Sequence, residues 1–505
     1  MKKSKFNIDL KIFIPTLLIF IVMSLIMIIS SEKAYGFLSH LLNLITKNFG
    51  WAYLCIYIAN FVFLGWLAFG RYGKVRFGKT DEKPEYGRFA WICMVFTTGI
   101  DASIMIMSLF EPLQYLQAPP FEIEPFSNQA YDYAHMYGQF HWGPSAWMMY
   151  IPATIAIAYV LYVKNGDTTR VSTACAAAWG NRKKKWHKYC LVLIDILVVF
   201  GIMGGIGASI GLEIPVISQI ISTLFGLDNT MGMKLLTLML LLVLFGGTVY
   251  LGLDKGIQKL STINIYVVLA FLGVMFIVGP TLYIIDSEIN SVGMLLSNFV
   301  RMSTYTDPNV QSGFPQNWTM FYWGWWLAYM PVMGLFVARI SRGRTIRQVV
   351  TGEVIWGSLG CMTFFGVMGG YSLYLQKTGT VDLVSILNEQ GQEAAIAAVI
   401  QSLPMSKIML VAYCISCFIF LATTVSSSAF IISSMTSRKL NGYEQPARWN
   451  RMLWAVVFVV FSAGIMIVGG FETIQVVCVI AGFPLIGVCI VLMKSIYNMV
   501  REREK

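Results

Sequence analysis

The segment from Phe314 to Arg347, FPQNWTMFYWGWWLAYMPVMGLFVARISRGRTIR, constrains this chain more than any other. Trp318, Phe321, Tyr322, Trp323, Trp325, Trp326 and Tyr329 crowd its first half, Pro331 and Gly334 follow, and Arg339, Arg342, Arg344 and Arg347 close it. Trp318 to Ala338 is about the 20 residues that cross a bilayer. An interfacial belt would hold Trp and Tyr at the membrane surface only. Here the aromatics run inward, so Trp325, Trp326 and Tyr329 belong well inside the membrane. Pro331 and Gly334 weaken the helix where backbone groups can face a cavity. Clustered π faces in a dry pocket suit a quaternary ammonium, which has no N–H to donate. Such a cation is held by cation–π attraction, about 2 kcal/mol for a good ring once desolvated.

Composition sets the class. With 56% apolar residues, 12% charged and a mean hydropathy of +0.65, the chain reads as an all-α polytopic membrane protein. Twelve apolar spans are predicted, near 12–30, 50–70, 89–117, 137–163, 190–222, 233–252, 262–285, 317–338, 352–375, 408–434, 452–470 and 473–493. The first is too long for a cleaved signal and lacks a small-residue cleavage site. Of the 37 Lys and Arg, all but Lys33, Lys47, Lys234, Arg301, Lys377 and Lys407 fall in the termini or in the loops on the same side as them. By the positive-inside rule both termini are cytoplasmic, in the cell inner (cytoplasmic) membrane. The formal net charge of +11 is therefore a topology signal and not a nucleic-acid footprint. The run RKKKWHK at 182–188 reads as a cytoplasmic anchor rather than a lipid-binding patch.

Catalytic and metal chemistry find no support. Cys414 and Cys417 have CxxC spacing but lie in an apolar span, where small core residues are the better reading. His40, His135, His141 and His187 form no metal spacing, and no nucleophile–base arrangement is visible. Four acids do fall within the spans or at their edges: Asp101, Glu111, Asp195 and Glu213. Intramembrane acids are costly and mark function by default. Glu111 and Asp195 read as local partners, and Glu213 as facing an outer vestibule. Asp101, in TTGIDAS with Thr97, Thr98, Gly99 and Ser103, is the sharpest, read as a binder of a cation or proton beside an unwound segment, with a buried structural hydrogen bond as the alternative. In LATTVSSSAF, Thr423, Thr424, Ser426, Ser427 and Ser428 either pack a helix or offer the oxygens a Na⁺ ion requires.

FYWGWWLAYMPVMGLFVARISRGRTIR, FHWGPSAWMMY (140–150), GLDKGIQ (252–258) and SVGMLLSNFVRMSTYTDPNVQSGFPQNWT (291–319) together resemble the betaine/choline/carnitine transporters over nearly the whole chain, most closely the carnitine/γ-butyrobetaine antiporter branch. The resemblance implies twelve transmembrane helices in two inverted five-helix repeats, helices 3–7 and 8–12, with helices 3 and 8 unwound at GIDAS and MPVMG. It implies one transporter domain over 1–505: two N-terminal helices and a basic loop (1–88), a first repeat (89–290), an amphipathic helix and loop on the periplasmic side (291–316), a second repeat (317–495) and a short cytoplasmic tail (496–505). It implies a homotrimer, and no cofactor beyond a candidate Na⁺ ion.

The family's aromatic box maps onto Trp142, Trp147, Tyr150, Trp325, Trp326 and Tyr329. Met333 matches the methionine that replaces a sodium site in the carnitine branch, and Gln114 stands where that branch has a pocket Tyr. Asn264 replaces the branch's Arg, while Thr423 and Thr424 align with the paired hydroxyls of a second sodium site. The implied function is secondary transport of trimethylammonium zwitterions such as carnitine, γ-butyrobetaine or betaine by substrate/product antiport. The alternative is Na⁺- or H⁺-coupled symport of glycine betaine or choline. The short polar termini favour a metabolic carrier over an osmosensor.

Overall fold

The computed structural model describes residues 7–166, 170–180, 184–251, 255–438 and 445–502, with backbone only at 245, 248–251 and 255–259. Lys2, Lys3, Lys5, Arg182, Lys183, Lys439, Arg503, Lys505 and the first half of GLDKGIQ lie outside the described residues, as do the side chains of Lys255 and Lys259.

Helices account for the regular structure of the described residues, apart from isolated bridges between Ile8 and Ser437 and between Arg76 and Thr345. In chain order they are α1 (Leu10–Ile29), α2 (Ser31–Phe69), α3 (Arg88–Thr98), α4 (Ala102–Gln117), α5 (Asn128–Trp142), α6 (Pro144–Tyr162), α7 (Val171–Cys175), α8 (Lys185–Phe225), α9 (Met231–Leu251) and α10 (Lys255–Val278). There follow α11 (Thr281–Ser303), α12 (Phe321–Ile340), α13 (Ile346–Gly352), α14 (Ser358–Phe364), α15 (Gly370–Thr378), α16 (Leu383–Gln390), α17 (Gln392–Gln401), α18 (Ser406–Met435), α19 (Arg448–Val468) and α20 (Gly470–Glu502). Backbone groups in lipid must be satisfied within a segment, which only helices manage without a closed barrel.

Among the described residues nine helices are long and apolar enough to cross a membrane, and ten if α3 and α4 form one span bent by 58°. The expected spans at 233–252 and 317–338 coincide with α9, which contributes a shorter apolar stretch at Met231–Leu244, and with α12. The polar edges of its Trp and Tyr residues make α12 less apolar by composition, although most of it is buried. Where the sequence places a loop before residue 50, α2 is already helical from Ser31. Gly279 and Pro280 end α10 and start α11, whose apolar residues Leu282, Ile289, Leu296 and Val300 are exposed.

One expectation is corrected. Helix 3 is broken at GIDAS, but α12 runs unbroken through MPVMG with Pro331 inside it. A helical Pro removes a single backbone bond, and tight packing around this one keeps the coil intact. A Cβ on Gly334 would lie 2.4 Å from the Ala153 Cβ of α6, so the two helices are in near-backbone contact there. The irregularity falls instead at the N-terminal end, where Pro315–Met320 form a π-helical turn. Gly324 of α12 and Gly482 of α20 fix the other flank: a Cβ on Gly482 would come 2.4 Å from the Gly324 Cα.

The described basic segments meet at one end of the bundle. Asp9 N–H donates to the Thr436 carbonyl (2.8 Å), and Arg170 reaches Asp9 (2.9 Å) and the Ser437 carbonyl (2.5 Å). Phe77 N–H donates to the Arg344 carbonyl and Ile346 N–H to the Val75 carbonyl, both at 2.9 Å. Lys164 pairs with Glu502 at 3.1 Å. Glu82 accepts the Lys79 N–H (2.9 Å) and Arg342 Nε (2.6 Å). The Lys79 bond, then Arg342, holds its carboxyl below the usual range. A depressed carboxyl stabilises the fold above its unfolded value and loses that contribution as pH falls, so this loop contact weakens in acid.

Candidate functional site

The break between α3 and α4 opens a pocket of about 430 Å³, a volume that includes space open to solvent, walled by Thr98, Gly99, Asp101, Ser103, Trp142, Ala146, Trp147, Tyr150, Trp325, Trp326, Tyr329, Met333 and Cys361. Three local features build it. Asp101 ends the break as the N-cap of α4, its Oδ1 accepting the Ile104 N–H at 3.0 Å. Gly143 and Pro144 interrupt the fourth expected span, so Trp142 ends α5 while Trp147 and Tyr150 sit in the first turns of α6. On α12 the spacing of Trp325, Tyr329 and Met333 repeats every four residues, which lines them up along one face.

The rings form a box. Trp325 and Trp326 are stacked, centroids 5.5 Å apart and planes within 4°. Trp142 stands edge-on to both, at 5.8 and 4.8 Å. Tyr150 closes on Trp326 at 6.2 Å and on Trp147 at 5.7 Å, and Tyr329 meets Trp325 at 6.3 Å. The polar atoms of the three α12 rings are held in the protein: Trp325 Nε1 donates to the Gly205 carbonyl (3.3 Å), Trp326 Nε1 to the His141 carbonyl (2.9 Å), and Tyr329 shares a 2.7 Å bond with Ser209. With donors anchored outward, π faces remain for the cavity. Packing fixes Trp147 tightly, since a Cβ on Gly357 would lie 2.2 Å from its indole. Gly357→Ala is therefore expected to displace Trp147 and cost about 1–3 kcal/mol of stability. Thermal unfolding and tryptophan emission of the purified variant check this.

Of the residues singled out in the sequence, Trp142, Trp147, Tyr150, Trp325, Trp326, Tyr329, Met333 and Asp101 share this cavity. Gln114, Asn264, Thr423 and Thr424 do not line it. Gln114 lies half-buried on α4. Asn264 is buried between helices, its Nδ2 donating to the Ser416 carbonyl of α18 at 3.1 Å. The Thr423 hydroxyl donates to its own helix at the Phe420 carbonyl (2.8 Å), and Thr424 follows it on α18.

Glu111 does more than sequence reading gave it. Its fully buried carboxylate accepts hydrogen bonds from Trp142 Nε1 (3.2 Å) and from the hydroxyls of Tyr115 and Tyr322. Tyr115 also bonds His141 Nδ1 (2.8 Å), and His141 Nε2 reaches the Thr319 hydroxyl (3.1 Å) in the π-helical turn. The network therefore holds one box indole through Glu111 and a second through the His141 backbone. Tyr115, four residues after Glu111, was the available signal. Tyr322 and His141 come from distant segments and gave none.

The spacing GKVRFGKT at 73–80 fits a phosphate-binding loop, G-x-x-x-x-G-K-[ST], but its setting does not. Such a loop joins a strand to a helix N-terminus. Here Arg71–Lys74 is a 3₁₀ turn, and the Phe77 N–H is taken by the Arg344 carbonyl.

Residues 11–505 match the family described as BCCT, betaine/carnitine/choline family transporter. That match spans nearly the whole chain, so the protein belongs to this family: a multi-pass membrane secondary transporter of betaine-, carnitine- and choline-type compounds, and not an enzyme.

Proposed function

We propose that the aromatic box is the substrate site of a trimethylammonium carrier that works by substrate/product antiport, with carnitine- and γ-butyrobetaine-like zwitterions as its substrates. The observation that carries this reading is the aromatic box itself: six buried rings from α5, α6 and α12 face one cavity beside a break in the membrane helix α3–α4. A helix break lets backbone polar groups face a ligand at membrane depth. Four of the rings are indoles, the best cation–π partners among side chains.

The same reading takes the helices as twelve spans in two inverted repeats, with α3–α4 and α12 as corresponding first helices. Three copies assemble, and the basic end of the bundle lies in the cytoplasm. Met333 in the cavity wall supports exchange without sodium, because a thioether is a poor ligand for a hard cation. A second reading, Na⁺-coupled symport, has one observation in its favour. The Thr423 hydroxyl donates its hydrogen to Phe420 and so keeps its lone pairs for a cation.

The deciding experiment is exchange of labelled γ-butyrobetaine for carnitine in proteoliposomes, at fixed pH in nominally Na⁺-free buffer. Exchange undiminished without Na⁺ is expected. If exchange stops and millimolar Na⁺ restores it, the antiport reading fails and Thr423 and Thr424 become candidate ligands.

A further inference from the structure

Behind the cavity wall lies a second acid that the substrate box does not use. Glu213, on α8, is 2% exposed. Its Oε1 accepts the Ser103 hydroxyl at 2.5 Å, and its Oε2 is buried without a hydrogen-bond partner. Ser103 lies in the first turn of α4, two residues from Asp101, and both line the cavity. Among the described residues neither acid has a basic side chain within ion-pair distance. The other titratable groups facing them are neutral phenols and thiols. Tyr329 of α12 and Cys417 of α18 face both acids. Tyr413 of α18 faces Glu213, while Tyr150 of α6 and Cys361 of α14 face Asp101.

Glu213 is buried and Asp101 is only partly exposed at the cavity wall, and two unneutralised carboxylates in that setting are costly, so the pair must hold a cation or a proton. The surroundings divide the charge unequally. Asp101 accepts a backbone N–H at the N-terminus of α4, a setting that stabilises an anion. Glu213 receives a single hydroxyl, and its other oxygen meets no donor, a setting that suits the neutral acid.

We propose that Glu213 is a proton-binding site of this carrier, linked through Ser103 to Asp101, so that the pair holds one proton and presents one negative charge, on Asp101, to the bound ammonium. The inference rests on the cavity being the substrate site. A trimethylammonium group in the box adds positive charge beside the pair and favours ionised Glu213. Binding therefore releases a proton into solution, and affinity rises with pH. One linked proton corresponds to at most about a tenfold rise per pH unit.

The test is titration calorimetry of the purified full-length protein with γ-butyrobetaine, in Na⁺-free buffers of different ionisation enthalpy, between about pH 6 and pH 9, where buried carboxyls titrate. The wild type is expected to release a fraction of a proton per substrate, and Glu213→Gln to bind with no release and a flat pH profile. Asp101→Asn is expected to lose affinity at every pH. A Glu213→Gln variant that releases as much proton as the wild type overturns the proposal. So does wild-type binding that is independent of pH, or binding that shows no proton release and occurs only when Na⁺ is added to the same buffers. Trp325→Ala separates the two levels: unchanged affinity in that variant refutes the substrate site itself, whereas its loss together with an unaltered Glu213→Gln profile refutes the proton site alone.

Discussion

Replacing Trp325 by Ala is expected to weaken trimethylammonium binding by roughly 2 kcal/mol, about thirtyfold. Trp325 is the ring that holds the box together: it stacks on Trp326, meets Trp142 and Tyr329 edge-on, and is 1% exposed. Trp325→Leu should lose nearly as much, because it restores apolar area without a π face. Quenching of the remaining tryptophans by substrate measures both variants. Binding like the wild type's in both would remove the cage from the account.

Glu111→Ala is expected to have the larger effect on stability. The Ala variant leaves Trp142 Nε1 and the Tyr115 and Tyr322 hydroxyls without their buried acceptor. A buried donor that loses its partner costs about 1–3 kcal/mol, and these three share one acceptor. Freed from Glu111, the Trp142 ring also loses its fixed edge-on position against Trp325 and Trp326, so affinity should fall along with the unfolding temperature. Glu111→Gln keeps an acceptor oxygen and should lie between Ala and the wild type. Thermal unfolding and substrate titration on the same preparations check the pair. A Glu111→Ala protein as stable as the wild type would show that the network is incidental.

Much of the box was legible in the sequence because its parts are local. The crowding of Trp and Tyr before Pro331, and the Gly–Asp pairing in GIDAS, each reflect one helix and its irregularity. What stayed hidden depends on contacts between distant segments. Glu111 gains its role from Tyr322, and Glu213 from Ser103, at separations no periodicity reports. MPVMG misled in the opposite direction. Proline and glycine permit a helix to unwind but do not impose it, and close contact of Gly334 with Ala153 keeps α12 continuous. The polar run on α18 also reads differently in three dimensions. Thr423 and Ser426 bond back to their own helix, as hydroxyls in membrane helices commonly do.

The central claim is that π faces, and not shape alone, select the substrate. Its most direct test compares the affinity of choline with that of its neutral tert-butyl isostere, which has the same outline and no charge. The comparison is made in Asp101→Asn/Glu213→Gln protein, which removes the charge of both acids of the pair from the comparison. The cage predicts a preference for the charged compound of roughly thirtyfold, the equivalent of about 2 kcal/mol. Equal affinity for the two would contradict it.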